Sequence, residues 1–526
     1  MAEALALTAS LTSPLHEAMH ARPHARAVSF GARRFTYAEF AERVARAGWA
    51  FQSLGMAAGD RIGMLGLNSH RYLEYFFGVW WGGGVINPVN IRWNPIEVAY
   101  SLDDCDTRVL VVDDAFVSMI PALRERSKSL EAVVYAGEGT APDGTVDYET
   151  LLSHASVGED ARRRGDDLAA VMYTGGTTGM PKGVMLSHGN LASSVANSNT
   201  VVARGPGSIS VVAAPVFHIG GCALVLQSIH GLRELVVLPL FDEVAVLGAI
   251  QNERATEMFL VPTMIKRLLD HPRFAEFDVS SLRNMIYGAA PIDSALLARA
   301  MVAFPNATFY QAYGMTECSP TLSVLSGDAH LEAARNPKRL RSAGTAMPGV
   351  ELRIVDPEDH DVPLGTVGEI VARGPTIMQG YWNKPQETAD ALRGGWMHTG
   401  DGGYLDEDGY LYVVDRVKDM IVSGAENVYS AEVENAIAQL PEVAMTAVIG
   451  IPDDELGERV HAVVVLQPGA TLTEDDVTRH CRSLIAGYKC PRSVEFRDQL
   501  PLSAAGKLLK FQIREPFWRG RTRRVN

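Results

Sequence analysis

Cysteine is scarce in this chain of 526 residues. There are five, Cys105, Cys222, Cys318, Cys481 and Cys490, with no Cys-x-x-Cys pair. An odd, scattered set argues against a disulfide framework or a cysteine zinc site and suits a reducing cytosol. Positive charge is also short: 48 Lys and Arg stand against 62 Asp and Glu, a formal net charge of -14. A nucleic-acid polymer is therefore a poor partner unless cations cluster locally. Long apolar runs are absent too. The most apolar stretch, 75–91, carries three consecutive glycines and Pro88, which argues against a membrane span. The first Lys or Arg is Arg22, so no basic segment of a secretory leader is expected. What remains is an ordinary globular balance, 47% hydrophobic and 21% charged, in a chain long enough for several domains.

Short Val/Leu/Ile-rich runs at 61–66, 108–112, 131–135 and 235–239 read as buried strands. Between them lie stretches of helical period such as 36–54, where Phe40, Val44 and Ala47 recur on one face. This alternation predicts an α/β architecture. The segment 137–167, rich in Gly, Asp and Arg, is expected to run over the surface. Runs 368–373 and 409–414 read as strands of an antiparallel region. Beyond Asp415 the pattern becomes strand, helix, strand, strand, helix, with Ser430 as an expected N-cap and Thr473 opening a helix. The expected division is a large unit over 1–415, a hinge at 416–418 and a small α+β unit over 419–526.

The densest chemical signal is YTGGTTGMPKG at 173–183, with four glycines, three threonines and Lys182 in eleven residues. A strand at 167–172 leads into it. Such a loop offers backbone N–H groups and hydroxyls without bulk, which suits a polyphosphate. A Walker A loop needs Gly before the lysine and Ser or Thr after it. Here Pro181 and Gly183 occupy those places, so that alternative fails.

The loop resembles the signature of adenylate-forming enzymes: acyl- and aryl-CoA synthetases, luciferases and peptide-synthetase adenylation domains. Further segments match in order: YGAAP at 287–291, QAYGMTE at 311–317, GEIVARGPTIMQGYW at 368–382, HTGD at 398–401, DRVKDMIVSGAENVYSAEVE at 415–434 and PLSAAGK at 501–507. The resemblance covers essentially the whole chain. It implies a large domain of α/β sheets with a β-barrel-like region, and a small mobile C-terminal domain.

It also implies an ATP- and Mg²⁺-dependent acid–CoA ligase. Thr174, Gly175, Gly176, Thr177, Thr178, Gly179 and Lys182 would form the phosphate loop, with Thr316 touching phosphate and Glu317 holding Mg²⁺. Tyr313 would face adenine, beside the small Gly288, Ala289 and Ala290 and the neighbouring Gly314 and Met315. Asp401 would accept from the ribose hydroxyls, supported by Arg416. Lys507 would bring its cation to the reacting carboxylate and phosphate, while Lys510 is expected at the surface or on a second anion. Lys418 would be the pivot between an adenylating and a thioester-forming pose. In the second pose Ser423, Gly424 and Glu426 would lie on the path of the CoA arm. His218, in PVFHIGG, would gate or line the acyl pocket with Gly220, Ala289, Ala312, Met315, Gly344 and Met347.

Three departures stand out. Gly175 replaces a usual Ser, Ala425 replaces the second Gly of a Gly-Gly-Glu-Asn turn, and Gly220 stands where many 4-coumarate-type ligases carry Tyr. The expected acid is a medium- or long-chain fatty acid, with ferulate- or cinnamate-like aryl acids next. The rival from another class is a non-catalytic acyl or nucleotide sensor. The partners implied are the acid, ATP and CoA, for a cytoplasmic monomer or homodimer.

Overall fold

The computed structural model describes residues 10–174, 180–205, 207–332, 337–416, 419–423, 426–453, 455–502 and 508–519, with backbone alone at 337, 416, 422, 426 and 427. Two large sheets carry the first part of the chain. One has eight strands, in the order Gly380–Tyr381, Lys182–Ser187, Leu168–Thr174, Val85–Pro88, Arg61–Leu65, Val109–Val112, Ala132–Tyr135 and Val146–Asp147. Its strands Val85–Pro88, Arg61–Leu65, Val109–Val112 and Ala132–Tyr135 run parallel and are almost wholly buried, as their unbroken apolar runs require, while Lys182–Ser187 pairs antiparallel with both its neighbours.

The other sheet has nine strands, with Thr308–Gly314 and Asn284–Gly288 parallel near one edge. The largest core cluster joins both sheets to helices Tyr37–Ser53, His70–Trp81, His188–Val201 and Ile219–His230. The first of these begins where local chemistry dictates: Thr36 and Glu39 form a reciprocal capping box.

A third, four-stranded antiparallel sheet follows, Glu351–Val355, Gly368–Arg373, Met397–Leu405 and Leu411–Arg416, and takes the place of the expected barrel-like region. The small C-terminal domain has its own five-stranded sheet and core, around the long hairpin Val443–Asp453 and Gly457–Leu466. Thr473 caps helix Glu474–Leu484 as expected. That domain also contains a leading hairpin, Ile421–Ser423 with Glu426–Val428, and a closing strand and helix, Ser493–Phe496 and Lys510–Trp518, beyond the simpler expected pattern.

Two local expectations are corrected here. Ser430 is the first residue of helix Ser430–Ile437, and Tyr429 holds the cap position. The Ser430 hydroxyl is drawn off to Asp415, donating to its carboxylate at 2.5 Å. The 137–167 segment is not wholly superficial: it contributes the edge strand Val146–Asp147 and helix Tyr148–His154, whose Tyr148 is buried and donates to Glu74 at 3.1 Å.

Candidate active site

The phosphate-loop segment joins two paired strand ends. Thr174 and Lys182 face each other across the ladder of Leu168–Thr174 and Lys182–Ser187, at one end of this strand pair. Residues 175–179, with the departure at Gly175, lie outside the described residues. Lys182 Nζ sits 5.0 Å from the ring centre of Tyr381, within cation–π reach. The Tyr381 hydroxyl donates to Glu317 Oε1 at 2.9 Å. One aromatic side chain thus ties the loop's cation to the carboxylate expected to hold a metal. Burial, then Glu317, raises the Tyr381 phenol far above its usual range, so it stays a donor.

Glu317 lies in the 3₁₀ turn Thr316–Cys318, directly after strand Thr308–Gly314, and is buried. Its backbone carbonyl accepts from the Met378 N–H at 2.8 Å, which fixes the turn. Among the described residues no three His, Cys, Asp or Glu converge on a metal site. A single carboxylate, joined through Tyr381 to Lys182, fits Mg²⁺, which keeps waters and uses substrate phosphates as further ligands.

The residues expected on the nucleotide side fall together at the carboxyl ends of two adjacent strands. Gly288 pairs with Ala312, and Ala289 follows with φ +65°. A Cβ at Gly288 would strike the Ala312 carbonyl, so only glycine lets these strands approach so closely. The Tyr313 hydroxyl donates to Asp401 Oδ2 at 2.8 Å. The expected adenine platform and ribose acceptor are therefore linked before any nucleotide is considered. Arg416 stands opposite Asp401 in the ladder of Met397–Leu405 and Leu411–Arg416; its side chain lies outside the described residues.

A cavity of about 150 Å³ opens beside this cluster. His218 caps helix Ile219–His230 through its backbone and lines the cavity, its ring 4.2 Å from that of Phe217. Gly220, Ala289, Ala312, Met315 and Met347 also line it, as do Gly314 and Thr316. Gly344 does not. It packs behind Val324, and a Cβ there would meet the Val324 backbone, so Val324 forms the wall and Gly344 supports it.

Lys418, Gly424 and Lys507 lie outside the described residues, as does Ala425. So does the Glu426 side chain, whose backbone pairs with Ser423 in the small-domain hairpin. Lys510 is a correction. It is not superficial: its side chain is 14% exposed, and the anion that Nζ meets is the protein's own Glu434, with Oε1 at 2.9 Å. Nζ also donates to Ser430 Oγ, extending a chain of contacts to Asp415.

Sequence reasoning assigned no role to Tyr381, Phe259, Tyr310 or Gln227. Tyr381 lay inside a matched segment, which was the available signal. Gln227 was detectable as the polar member of a helix face that otherwise reads small or apolar. The five cysteines are all free and buried, and burial pushes the Cys105 thiol up to about 11 and Cys222 to about 12, which leaves them inert.

Comparison with known proteins agrees with this geometry. Residues 15–382 match the AMP-binding enzyme family and residues 432–507 match the AMP-binding enzyme C-terminal domain. The chain is 39% identical to a feruloyl-CoA synthase from an Amycolatopsis species over 497 residues, 94% of this chain and 96% of the relative. It is 34% identical to the long-chain-fatty-acid–CoA ligase FadD13 of Mycobacterium tuberculosis, covering 92% and 93% of the two chains. Among solved structures, ATP-bound MatB from Rhodopseudomonas palustris superposes with a TM-score of 0.88 at 32% identity, over 97% of this chain and 99% of that one. The chain belongs to the AMP-binding enzyme family, as one of its adenylate-forming acid–CoA ligases.

Proposed function

We propose that the acid this ligase activates is an aryl or arylalkenyl acid of the ferulate or cinnamate kind. The observation that carries the reading is the cavity of about 150 Å³ beside the nucleotide-side cluster, a volume that suits about one aromatic ring. Its walls include Phe259, Tyr310 and Val324, with the Phe259 ring seated against Gly220. The 39% identity to feruloyl-CoA synthase supports the same reading. A fatty acid is the second reading, favoured by Met264, Met315 and Met347 in the wall, since methionines repack around flexible chains.

The reaction joins one anion to another and so depends on charge neutralisation. A carboxylate oxygen of the acid attacks the α-phosphorus of ATP; the bond to the β-phosphate oxygen breaks and pyrophosphate leaves. The thiolate of CoA then attacks the acyl carbon, the carbon–oxygen bond breaks, and AMP leaves. Mg²⁺, when bound, supplies positive charge to the phosphate oxygens.

In this reading Lys182 holds the β- and γ-phosphates and Glu317 holds the metal, both positioned by Tyr381. Asp401 receives the ribose hydroxyls, its carboxylate aimed by Tyr313. His218 and Gly220 shape the entrance to the acyl cavity. Lys507 serves the first half-reaction. Residues 416–418 are the hinge, dividing 1–415 from 419–526, and Ser423, Gly424 and Glu426 meet the CoA arm in the second half-reaction. The protein acts in the cytoplasm as a monomer or homodimer.

The test uses ferulate as substrate. Exchange of labelled pyrophosphate into ATP should require the acid but not CoA, and thioester should appear only when CoA is added. Exchange that proceeds equally without the acid would contradict the reading.

A further inference from the structure

Away from the reacting end, the acyl cavity finishes on a polar wall. Helix Ile219–His230 turns one face to the cavity through Gly220, Ala223, Leu224 and Gln227, spaced as neighbours on successive turns. Gln227, two turns beyond Gly220, is the polar end of that face.

Behind Gln227 lies an enclosed ion pair. Arg204 Nε is 2.6 Å from Glu257 Oε2, with side chains 3% and 0% exposed. Arg204 Nη2 donates to Gln227 Oε1 at 3.0 Å, and Nη1 donates to the Ser198 carbonyl at 3.1 Å. A guanidinium has donors only, so it fixes the orientation of the amide: the oxygen faces Arg204 and the NH₂ faces away. That NH₂ makes no hydrogen bond among the described residues, and it is not sealed from the cavity.

Tyr310 lines the same region. Its hydroxyl oxygen accepts from the Ala203 N–H at 3.4 Å, which leaves its own proton for donation. Tyr310 lies four residues before Gly314, about 13 Å along an extended strand, so these donors stand at the end of the cavity opposite the nucleotide.

We propose that Gln227 Nε2 and the Tyr310 hydroxyl form a donor pair that recognises an acceptor oxygen at the far end of the acid, such as a phenolic, methoxy or keto oxygen. The inference rests on the aryl-acid reading above and deepens it. The buried ion pair holds the amide rigid, so its donor presents one direction to the cavity. An acid without a distal oxygen leaves that donor unpaired, and discrimination follows from the cost of leaving it so.

The experiment compares thioester formation with 4-coumarate and with cinnamate, which differ by one distal hydroxyl. In the wild type the ratio of kcat/KM values should favour 4-coumarate by about 10-fold or more. Gln227→Glu keeps an acceptor for Arg204 but replaces the donor with a carboxylate, and the ratio should fall by about 10-fold. Tyr310→Phe should lower it less, and both variants should unfold at temperatures near the wild type. A ratio unchanged in both variants, with both acids turned over, overturns the donor pair and leaves the aryl-acid reading intact. Failure of the wild type to form a thioester with either acid overturns the aryl-acid reading and the donor pair with it.

Discussion

Gly220→Ala places a methyl group where the acyl cavity meets helix Ile219–His230. Its Cβ would lie 2.9 Å from Phe259 Cε1 and 3.2 Å from Cζ, closer than ordinary carbon contacts. The Phe259 ring must move, and because it is itself a wall of the cavity, either response narrows the space. Two effects on stability oppose each other. Alanine is favoured over glycine in a helix by about 1 kcal/mol, while overpacking costs about 1–3 kcal/mol. The melting temperature should therefore change little.

Substrate selection should change much more. One methylene of difference in an apolar pocket is worth about 1–3 kcal/mol, or roughly 10–200-fold in kcat/KM. Gly220→Ala should lower kcat/KM for ferulate by that factor and leave the KM for ATP unaltered. A short acid such as propionate, which does not reach Phe259, should lose far less. The assay is acid-dependent AMP release in the presence of CoA. Equal losses for ferulate and propionate would refute the assignment of this cavity to the acyl group.

Glu317→Gln keeps an acceptor for Tyr381 but removes the charge, so adenylation should fall ~100-fold or more and the Mg²⁺ requirement should rise; acid-dependent pyrophosphate exchange across a Mg²⁺ series checks both. Lys510→Met leaves the carboxylate of Glu434 buried without its cation, which should destabilise the C-terminal domain by about 3–5 kcal/mol. Adding Glu434→Gln should recover part of the loss, and denaturant unfolding monitored in that domain measures it. Burial depresses His70 to about 3 and His188, His230 and His330 to about 4, from an ordinary 6.5. Between pH 6.5 and about 4 the unfolded chain takes up protons that the folded chain refuses, so stability falls with pH by about 2 kcal/mol per histidine at pH 5. Asp113, raised to about 6 by burial, offsets a part of this as it gains its proton. A melting temperature that stays flat from pH 7 to pH 5 would contradict the depressed histidines.

What was legible in the sequence was what depends on neighbours along the chain. The helix within 36–54, the strand Gly368–Arg373 and the helix opened by Thr473 are local chemistry, and each reads directly from residue type and spacing. Most of the pocket candidates emerged from the motif segments. The remainder required folding to bring distant segments together. Tyr381 meets Glu317 and Lys182 because its two-residue strand pairs with Lys182–Ser187. Lys510 finds Glu434 across the small domain, so its burial had no local signature. Gly344 resembled a lining residue because it is small, yet its place behind Val324 is set by sheet packing. The polar floor at Gln227 depends on Arg204, which approaches from another helix end, and on Glu257 from a third segment.

The acid specificity of the complete reaction tests the reading of the cavity most directly. Thioester formation should be measured with ATP, Mg²⁺ and CoA across ferulate, 4-coumarate, cinnamate, octanoate and palmitate. A cavity of about 150 Å³ walled by Phe259 and Tyr310 should give the highest kcat/KM with an oxygenated aryl acid and a steep fall toward palmitate. A profile that rises with chain length and ignores the aryl acids would contradict it.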